Sequence, residues 1–306
     1  MDVLSAYPVR KSRKQKRAFR EDVQALAAAW GYESRVEKGT LGARNLILGD
    51  PATAKYLVTA HYDTCARLPI PNLITPTSFW LFVLYQLAVA AVMLAIPLIP
   101  AIPVGLAFHS WQLGHGTWLI AFWVVFFLFF LGPANPHNAN DNTSGVITLL
   151  EIARTLPEAD RSLVCFVLFD LEEAGLLGSA GYQSRHKKQT PRQTVLNLDC
   201  VGEGDQLWLF PTKRLKKSRE DMAALEKIAG TYGEKSILLR KRGFAVYPSD
   251  QANFPRGVGI CALRQGRAAP WLGRIHTPRD TVLDEKNVHL LRNALTNLMQ
   301  GKENEL

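Results

Sequence analysis

The chain has 306 residues, of which 47% are hydrophobic and 21% are charged, a composition that excludes an intrinsically disordered protein. Its 36 Lys and Arg residues outnumber its 27 Asp and Glu residues by 9. Four Cys residues, scattered along the chain, are too few for a disulfide-rich scaffold.

The N-terminal part combines a basic segment with short predicted elements. We interpret the basic run either as a solvated helix face or as a surface against anionic lipid. No nucleic-acid motif accompanies it, so we expect no nucleic-acid partner. A helix is predicted over residues 18–30, and strands over 34–37, 45–48 and 56–60. The seven basic residues of the run are Arg10, Lys11, Arg13, Lys14, Lys16, Arg17 and Arg20.

Residues 68–140 contain no Asp, Glu, Lys or Arg. Two apolar segments within this stretch, residues 78–97 and 113–131, are long enough to cross a bilayer as helices. Three prolines between them predict a turn or a broken continuation, with a loop at about 98–112. We therefore predict a transmembrane hairpin inserted at residues 68–131. The alternative is a buried core hairpin of a soluble protein, although such helices usually carry charge on one face.

The distribution of basic residues predicts an orientation. Two crossings leave both ends of the chain on one side, and the predicted loop has no Lys or Arg, whereas the N-terminal flank has seven. The N-terminus also lacks the apolar segment of a signal peptide. We expect an integral protein of the cell membrane whose larger part faces the cytoplasm.

The remainder of the chain alternates predicted strands with predicted helices. Strands are expected at 162–169, 195–199, 206–210, 236–240 and 259–263. Helices are expected at 145–156, 175–184, 219–231 and 284–299. This order predicts an α/β fold with a mostly parallel sheet sandwiched by helices. Residues 1–67 and 132–306 are predicted to form one discontinuous domain.

Polar residues cluster where predicted strands end, and the carboxyl ends of parallel strands are where ligands bind. Taken singly, each residue has an ordinary structural explanation, such as an N-cap for Asp141 or a solvated turn for Glu172 and Glu173. Taken together, two His and several carboxylates suit a divalent metal such as zinc. The segments are AHYDT (60–64), NDNTSG (140–145), DLEEAGLLGS (170–179), NLDCVG (197–202) and HTPRDT (276–281).

These five segments resemble the di-zinc aminopeptidases of peptidase family M28. The stretch SDQANF (249–254) is similar to a further family segment, in which His is usual at the position of Gln251. The resemblance covers the predicted soluble domain and none of the hairpin. It implies a zinc-exopeptidase-like fold, a peptide substrate, two Zn²⁺ ions per chain and a cis peptide bond between Asp141 and Asn142.

Carried onto this chain, the family pattern implies a role for each matching residue. His61 and Asp199 would hold one zinc ion, Glu173 and His276 would hold the other, and Asp141 would bridge both.

The pattern also implies residues that act without binding metal. Glu172 would be the general acid and base, and Asp63 would orient His61. Tyr247 is a candidate for stabilising the oxyanion. A nucleophilic Cys65 or Cys200 is a lesser alternative to the expectation that both are small buried residues.

The expected function is that of a membrane-anchored zinc peptidase, specifically an aminopeptidase. Two alternatives remain at this point: a non-catalytic membrane receptor or scaffold on the same fold, and a glutaminyl-cyclase-like acyltransferase. Because the hairpin separates His61 from Asp141, both ends of the insertion are expected beside the metals. The hairpin would then either select membrane-associated peptides or only anchor the enzyme in the bilayer.

Overall fold

The computed structural model describes residues 3–70, 72–243 and 245–302. The predicted domain limits at residues 1 and 306 lie outside the described residues. The described residues contain a nine-stranded sheet in the order β1-β2-β4-β3-β5-β9-β6-β8-β7. The strands are β1 Ser34–Lys38, β2 Arg44–Leu48, β3 Tyr56–His61, β4 Val164–Phe169, β5 Thr194–Leu198, β6 Gln206–Pro211, β7 Gly230–Tyr232, β8 Lys235–Leu239 and β9 Gly257–Leu263.

The centre of the sheet is parallel and its flanks are mixed. Strands β4, β3, β5 and β9 lie side by side in this order, and each strand is parallel to the next one in this set. Antiparallel pairs join β1 to β2, β2 to β4, β9 to β6 and β8 to β7, while β6 and β8 are parallel. The sheet is therefore less parallel than predicted. Short connections such as those from β1 to β2 and from β7 to β8 can join only antiparallel strands.

Helices lie on both faces of this sheet. The helices are α1 Val3–Ala6, α2 Arg13–Ala29, α3 Phe79–Ala95, α4 Leu98–Ala107, α5 Trp111–Leu131, α6 Gly145–Thr155, α7 Leu177–Arg185, α8 Arg219–Ile228 and α9 Glu285–Gln300.

Strand β7 occupies the end of the predicted helix 219–231, because that helix stops at Ile228 and the chain then turns at Gly233, whose φ is +61°.

Strand β4 shows why the sequences of the central strands are continuous apolar runs. Val164, Phe166 and Leu168 are fully buried in the core that α2, α6, α8 and α9 complete. The alternate residues Cys165 and Val167 are buried on the other face, with Tyr182 of α7. Because both faces are covered, successive side chains of the strand must all be apolar.

Three of the seven residues of the basic N-terminal run are buried, so for these three the interpretation as a solvated or lipid-facing surface is wrong, whereas Arg13, Lys14 and Arg17 are exposed. Lys16 Nζ lies 2.5 Å from Asp170 Oδ1, and Arg20 donates to the Tyr62 hydroxyl. Arg10 is 0% exposed, and burial lowers its pKa to about 10. The helix also begins earlier than predicted, since Ser12 caps α2 at its N-terminus.

The predicted hairpin loop is helical. Helix α4 occupies most of residues 98–112, so the first apolar stretch runs from Phe79 to Ala107, over 29 residues. Pro97 precedes α4 and Pro100 lies in its first turn, where backbone N–H groups have no partner within the helix. Pro103 lies inside α4, which nevertheless continues to Ala107, so the three prolines do not end the helix, and the chain reverses direction near residues 108–110.

Both apolar stretches are long and apolar enough to cross a membrane, by length and composition. Only 11% of the apolar window in 79–107 is buried, and none of the window in Trp111–Leu131. This exposure argues against the alternative of a buried core hairpin. Helices α4 and α5 approach closely at Gly105 and Gly114, where an added Cβ on Gly114 would lie 3.3 Å from Gly105 Cα.

The two ends of the insertion meet at the edge of the α/β domain. Ala66 and Ala134 form an antiparallel bridge, and the Arg67 amide donates to the Pro133 carbonyl over 2.8 Å. The Lys11 ammonium donates to the Gly132 carbonyl, where α5 ends. The chain therefore leaves and re-enters the domain at one place.

Candidate metal centre

The five polar segments converge at the carboxyl ends of the central strands. His61 is the last residue of β3, and Asp199 directly follows β5. Glu173 lies in the turn after β4, Asp141 lies in the turn Ala139–Ser144 that precedes α6, and His276 lies between β9 and α9. All five predicted metal ligands are therefore brought into one place, although their positions span more than two hundred residues of sequence.

Asp141 lies at the middle of this cluster. Its Oδ1 is 3.2 Å from His61 Nε2, and its Oδ2 is 3.0 Å from His276 Nε2. His61 Nε2 is also 3.5 Å from Asp199 Oδ1, and His276 Nε2 is 3.4 Å from Glu173 Oε2. Each carboxylate oxygen of Asp141 therefore faces a separate pair, consisting of one imidazole and one further carboxylate.

The composition and burial of this cluster fit a divalent metal. His61, Asp141 and Asp199 are each less than 10% exposed. His61 Nδ1 and Glu173 Oε1 are buried and have no hydrogen-bond partner among the described residues. Crowded buried carboxylates are costly unless a cation compensates them, and imidazole with carboxylate is a common zinc donor set.

The protonation equilibria reflect the same crowding. Burial raises the pKa of Glu173 to about 8, although His276 opposes this shift. Burial works against a charged His276, yet the carboxylates of Glu173 and Asp141 raise its pKa to about 9. Burial likewise disfavours a charged Asp141, but the two imidazoles together hold the pKa of that carboxyl below its usual range. Metal binding at such a site displaces protons from its ligands.

Asp63 fixes the turn that carries the two glutamates. Its Oδ1 accepts the Glu172 amide over 3.1 Å, and its Oδ2 accepts the Glu173 amide over 3.3 Å. Asp63 Oδ1 also lies 3.6 Å from His61 Nδ1. The side chain therefore positions the Glu172–Glu173 backbone, in addition to its predicted place beside His61.

Asp280 and Asn142 hold the turn around Asp141, and sequence reasoning assigned neither of them a role in the site. Asp280 accepts the backbone amides of Asn140 and Asp141 over 2.7 and 3.0 Å. The Asn142 side chain donates to the Leu198 carbonyl over 2.9 Å. The peptide bond between Asp141 and Asn142 is cis, as the resemblance implies. Asp280 is in the quoted HTPRDT segment, which was its only sequence signal.

The SDQANF segment and Tyr247 lie beside the ligand cluster. The Tyr247 hydroxyl donates to the Asp199 carbonyl over 2.8 Å, so its proton is already engaged. Gln251 donates to the Tyr247 carbonyl and accepts from Asn197, and it thus fixes this loop. Burial raises the pKa of Asp250 to about 7, and neither of its carboxylate oxygens has a hydrogen-bond partner among the described residues.

The cysteines near the site are buried thiols. Burial raises the pKa values of Cys65 and Cys200 well above the usual value, which argues against a thiolate nucleophile. Cys65 Sγ does lie within 4.8 Å of ligand atoms of Glu173 and His276. Its position beside this pair was not predicted.

A cavity of about 260 Å³ opens above the ligands. Glu172 and Tyr247 line it together with the ligand cluster, and part of its wall comes from the insertion. Sequence reasoning missed these wall residues because two of them belong to a helix expected to lie in a bilayer. The insertion contributes Asn72, Ile74, Phe82 and Gln86.

The fold of this domain is similar to those of solved zinc exopeptidases and glutaminyl cyclases. The glutaminyl cyclase of Porphyromonas gingivalis superposes with a TM-score of 0.61 and 18% identity, over 97% of this chain and 94% of that one. A Zn-dependent exopeptidase from Parabacteroides distasonis gives 0.59 and 15%, over 97% of each chain. At these identities the likeness shows the fold alone.

Sequence comparison identifies the family. Aminopeptidase YwaD of Bacillus subtilis is 43% identical over 74 residues, a segment that spans 23% of this chain and 16% of that protein. The family model of Peptidase family M28 matches residues 126–299, which is more than half of the chain and includes four of the five metal-site segments. The chain therefore belongs to peptidase family M28.

Proposed function

We propose that this protein is a zinc-dependent aminopeptidase that uses two metal ions. The observation that carries the proposal is the arrangement around Asp141, whose two oxygens face two separate imidazole–carboxylate pairs. His61 and Asp199 would hold one ion, Glu173 and His276 the other, and Asp141 would bridge them. Zinc, when bound at such a site, supplies Lewis acidity that activates water and polarises a carbonyl.

Glu172 is the residue we assign to proton transfer. Glu172 lines the cavity, and its backbone amide donates to Asp63. Burial raises the pKa of Glu172 well above the usual value, although His61 opposes this shift. A carboxylate of higher pKa is a better base near neutral pH. Glu172 would take a proton from the attacking water and return it to the departing amine.

The charges that line the cavity favour the amino end of a peptide over the carboxyl end. Five acidic or imidazole ligands and Glu172 surround the space, and no Lys or Arg is among its described lining residues. A terminal carboxylate would find no Lys or Arg there and would meet opposite charge only at the metal ions that the reaction needs, whereas an α-ammonium group would meet carboxylates of the lining such as Glu172. The small volume of about 260 Å³ suits one terminal residue with its scissile bond. These features support aminopeptidase rather than carboxypeptidase action.

We further propose that the hairpin takes part in substrate binding and does not serve only as an anchor. Phe82 and Gln86, about one turn apart on α3, both line the metal cavity. Asn72 and Ile74 of the entry segment complete this side, and Ile74 is held by paired backbone hydrogen bonds to Leu272. A helix that is apolar enough to enter a bilayer thus forms a wall of the site, which favours membrane-associated peptides as substrates.

The corresponding organisation is one discontinuous peptidase domain, residues 1–67 and 132–306, with a membrane hairpin at 68–131. We propose that this domain faces the cytoplasm. The support is the contrast between exposed basic residues near the N-terminus, such as Arg13 and Lys14, and the lack of Lys or Arg between the two apolar stretches.

The test is to purify the full chain in detergent, quantify its zinc and assay peptides of defined ends. We expect two zinc ions per chain, and hydrolysis of peptides with a free N-terminus but not of their N-acetylated counterparts. Protein that purifies without zinc would instead indicate a scaffold. Cyclisation of an N-terminal glutaminyl peptide, without hydrolysis of other peptides, would show an acyltransferase.

A further inference from the structure

A second and larger space lies on the other side of the wall that α3 and its entry segment form. Along the entry segment, Asn72 and Ile74 line the metal cavity, whereas the alternate residues Leu73 and Thr75 line this second groove. The same division holds on α3, where the groove takes a different set of side chains from the metal cavity. These are Leu81, Leu84, Tyr85 and Ala88.

The opposite side of the groove includes an apolar surface around Trp271. The groove encloses about 750 Å³, and Gly266, Ala269 and Gly273 line it next to the indole. A Cβ added at Gly273 would lie 1.7 Å from the Trp271 ring, and one added at Gly266 would lie 2.7 Å from it. The two glycines therefore let the indole lie flat against the backbone. Indole side chains are typical of the interface between membrane and water.

Two arginines line this groove, and they differ from two other arginines nearby in the sequence because they form no ion pair with a described residue. Arg264 and Arg274 each lie 3.1 Å from Glu203 Oε1 and are thereby neutralised. Arg267 and Arg279 line the groove, are exposed, and have no side-chain partner among the described residues. No Asp or Glu is among the described lining residues. The groove therefore joins an apolar surface to two uncompensated positive charges.

We propose that this groove is a binding site for an anionic phospholipid. Its phosphate would lie between the guanidinium groups of Arg267 and Arg279, and its acyl chain would follow Leu81, Leu84 and Ala88. Guanidinium groups match phosphate in geometry and charge, and α3 begins an exposed stretch long enough to cross a bilayer. A zwitterionic lipid would leave the surplus positive charge unbalanced.

The experiment uses the full chain in detergent micelles, titrated with phosphatidylglycerol that carries brominated acyl chains. Bromine quenches nearby tryptophan fluorescence, and the Trp271→Phe variant identifies the share of the quenching that comes from the groove. We expect R267Q/R279Q to weaken binding about 30-fold, because each basic residue near an anionic surface contributes about a factor of five.

The matched control removes the same charge elsewhere. Arg35 and Arg192 are exposed, so R35Q/R192Q should change the affinity by less than about twofold. Equal affinity of wild type and R267Q/R279Q would overturn the proposal, as would an equal loss in the control. Quenching of the same strength by brominated phosphatidylcholine would show that charge is not recognised. Displacement of the lipid by inorganic phosphate at equal concentration would reveal a simple phosphate site and would also overturn it.

Discussion

The floor and the insertion-derived wall of the metal cavity are built from opposite kinds of residue. The floor is the polar cluster of His61, Asp141, Glu173, Asp199 and His276. Residues such as Asp63 and Asp280 fix the backbone that carries this cluster. The wall on α3 is formed by half-buried Phe82 and by half-buried Gln86, which is its polar side chain lining the cavity. In the proposed function, the chemistry depends on this polar network, whereas the choice of substrate depends on the apolar insertion.

The largest effect that would test this comparison is expected on the floor. Glu172→Gln should lower kcat by about 10²- to 10⁴-fold, because it removes proton transfer. Its zinc content should equal that of wild type, since the residue is not one of the proposed ligands. Single-turnover assays together with metal analysis would check both points. Loss of zinc in this variant would show that Glu172 binds metal instead.

Metal removal should destabilise the floor strongly. A cation that binds only the folded chain stabilises it by about 4 kcal/mol when its free concentration is 1,000 times Kd. Thermal unfolding in detergent, with and without a chelator, measures this difference, and readdition of zinc should reverse it. His276→Ala serves as the control, because its unfolding should respond less to zinc. A wild-type melting temperature that is indifferent to chelation would contradict a metal-supported floor.

The buried Arg10 connects the N-terminal segment to the floor from below. It donates to the carbonyls of Tyr7 and Tyr62 and to the Thr143 hydroxyl. Arg10→Met leaves these buried acceptors without a donor, which should lower the free energy of unfolding by about 2–4 kcal/mol. Denaturant unfolding measures the loss. Lys14 is exposed, so Lys14→Met should change the free energy of unfolding by less than about 0.5 kcal/mol. Similar losses in both variants would contradict the proposed stabilising role of Arg10.

The smallest effect is expected on the wall from α3. Phe82→Ala and Gln86→Leu should each change kcat/KM by about tenfold for a given peptide, mainly through KM, because they alter substrate contacts and spare the proton-transfer group. Leu87→Ala is the matched control, since Leu87 is 63% exposed and is not among the residues lining either the metal cavity or the groove. If all three variants hydrolyse a panel of peptides like wild type, the hairpin is only an anchor.

The fold was largely predictable from local signals, whereas the proposed ligand set came from the resemblance to peptidase family M28. Strand β4 could be placed because a strand buried on both faces must be a continuous apolar run. His61 and Asp199 could be placed because polar residues at strand ends mark the ligand-binding edge of a parallel sheet. The edge strand β7 was missed because two of its three residues, Gly230 and Thr231, were assigned to the end of the helix predicted over 219–231.

By itself, the amino-acid sequence determined the order of the elements, the chemistry of the ligands and the apolar insertion, since each depends on neighbouring residues and on side-chain type. Only the tertiary structure decided that Arg10, Lys16 and Arg20 are buried, and that Phe82 and Gln86 face the metal cavity. These facts depend on contacts between residues far apart in the chain. A local pattern cannot specify which remote group a charged or apolar side chain will meet.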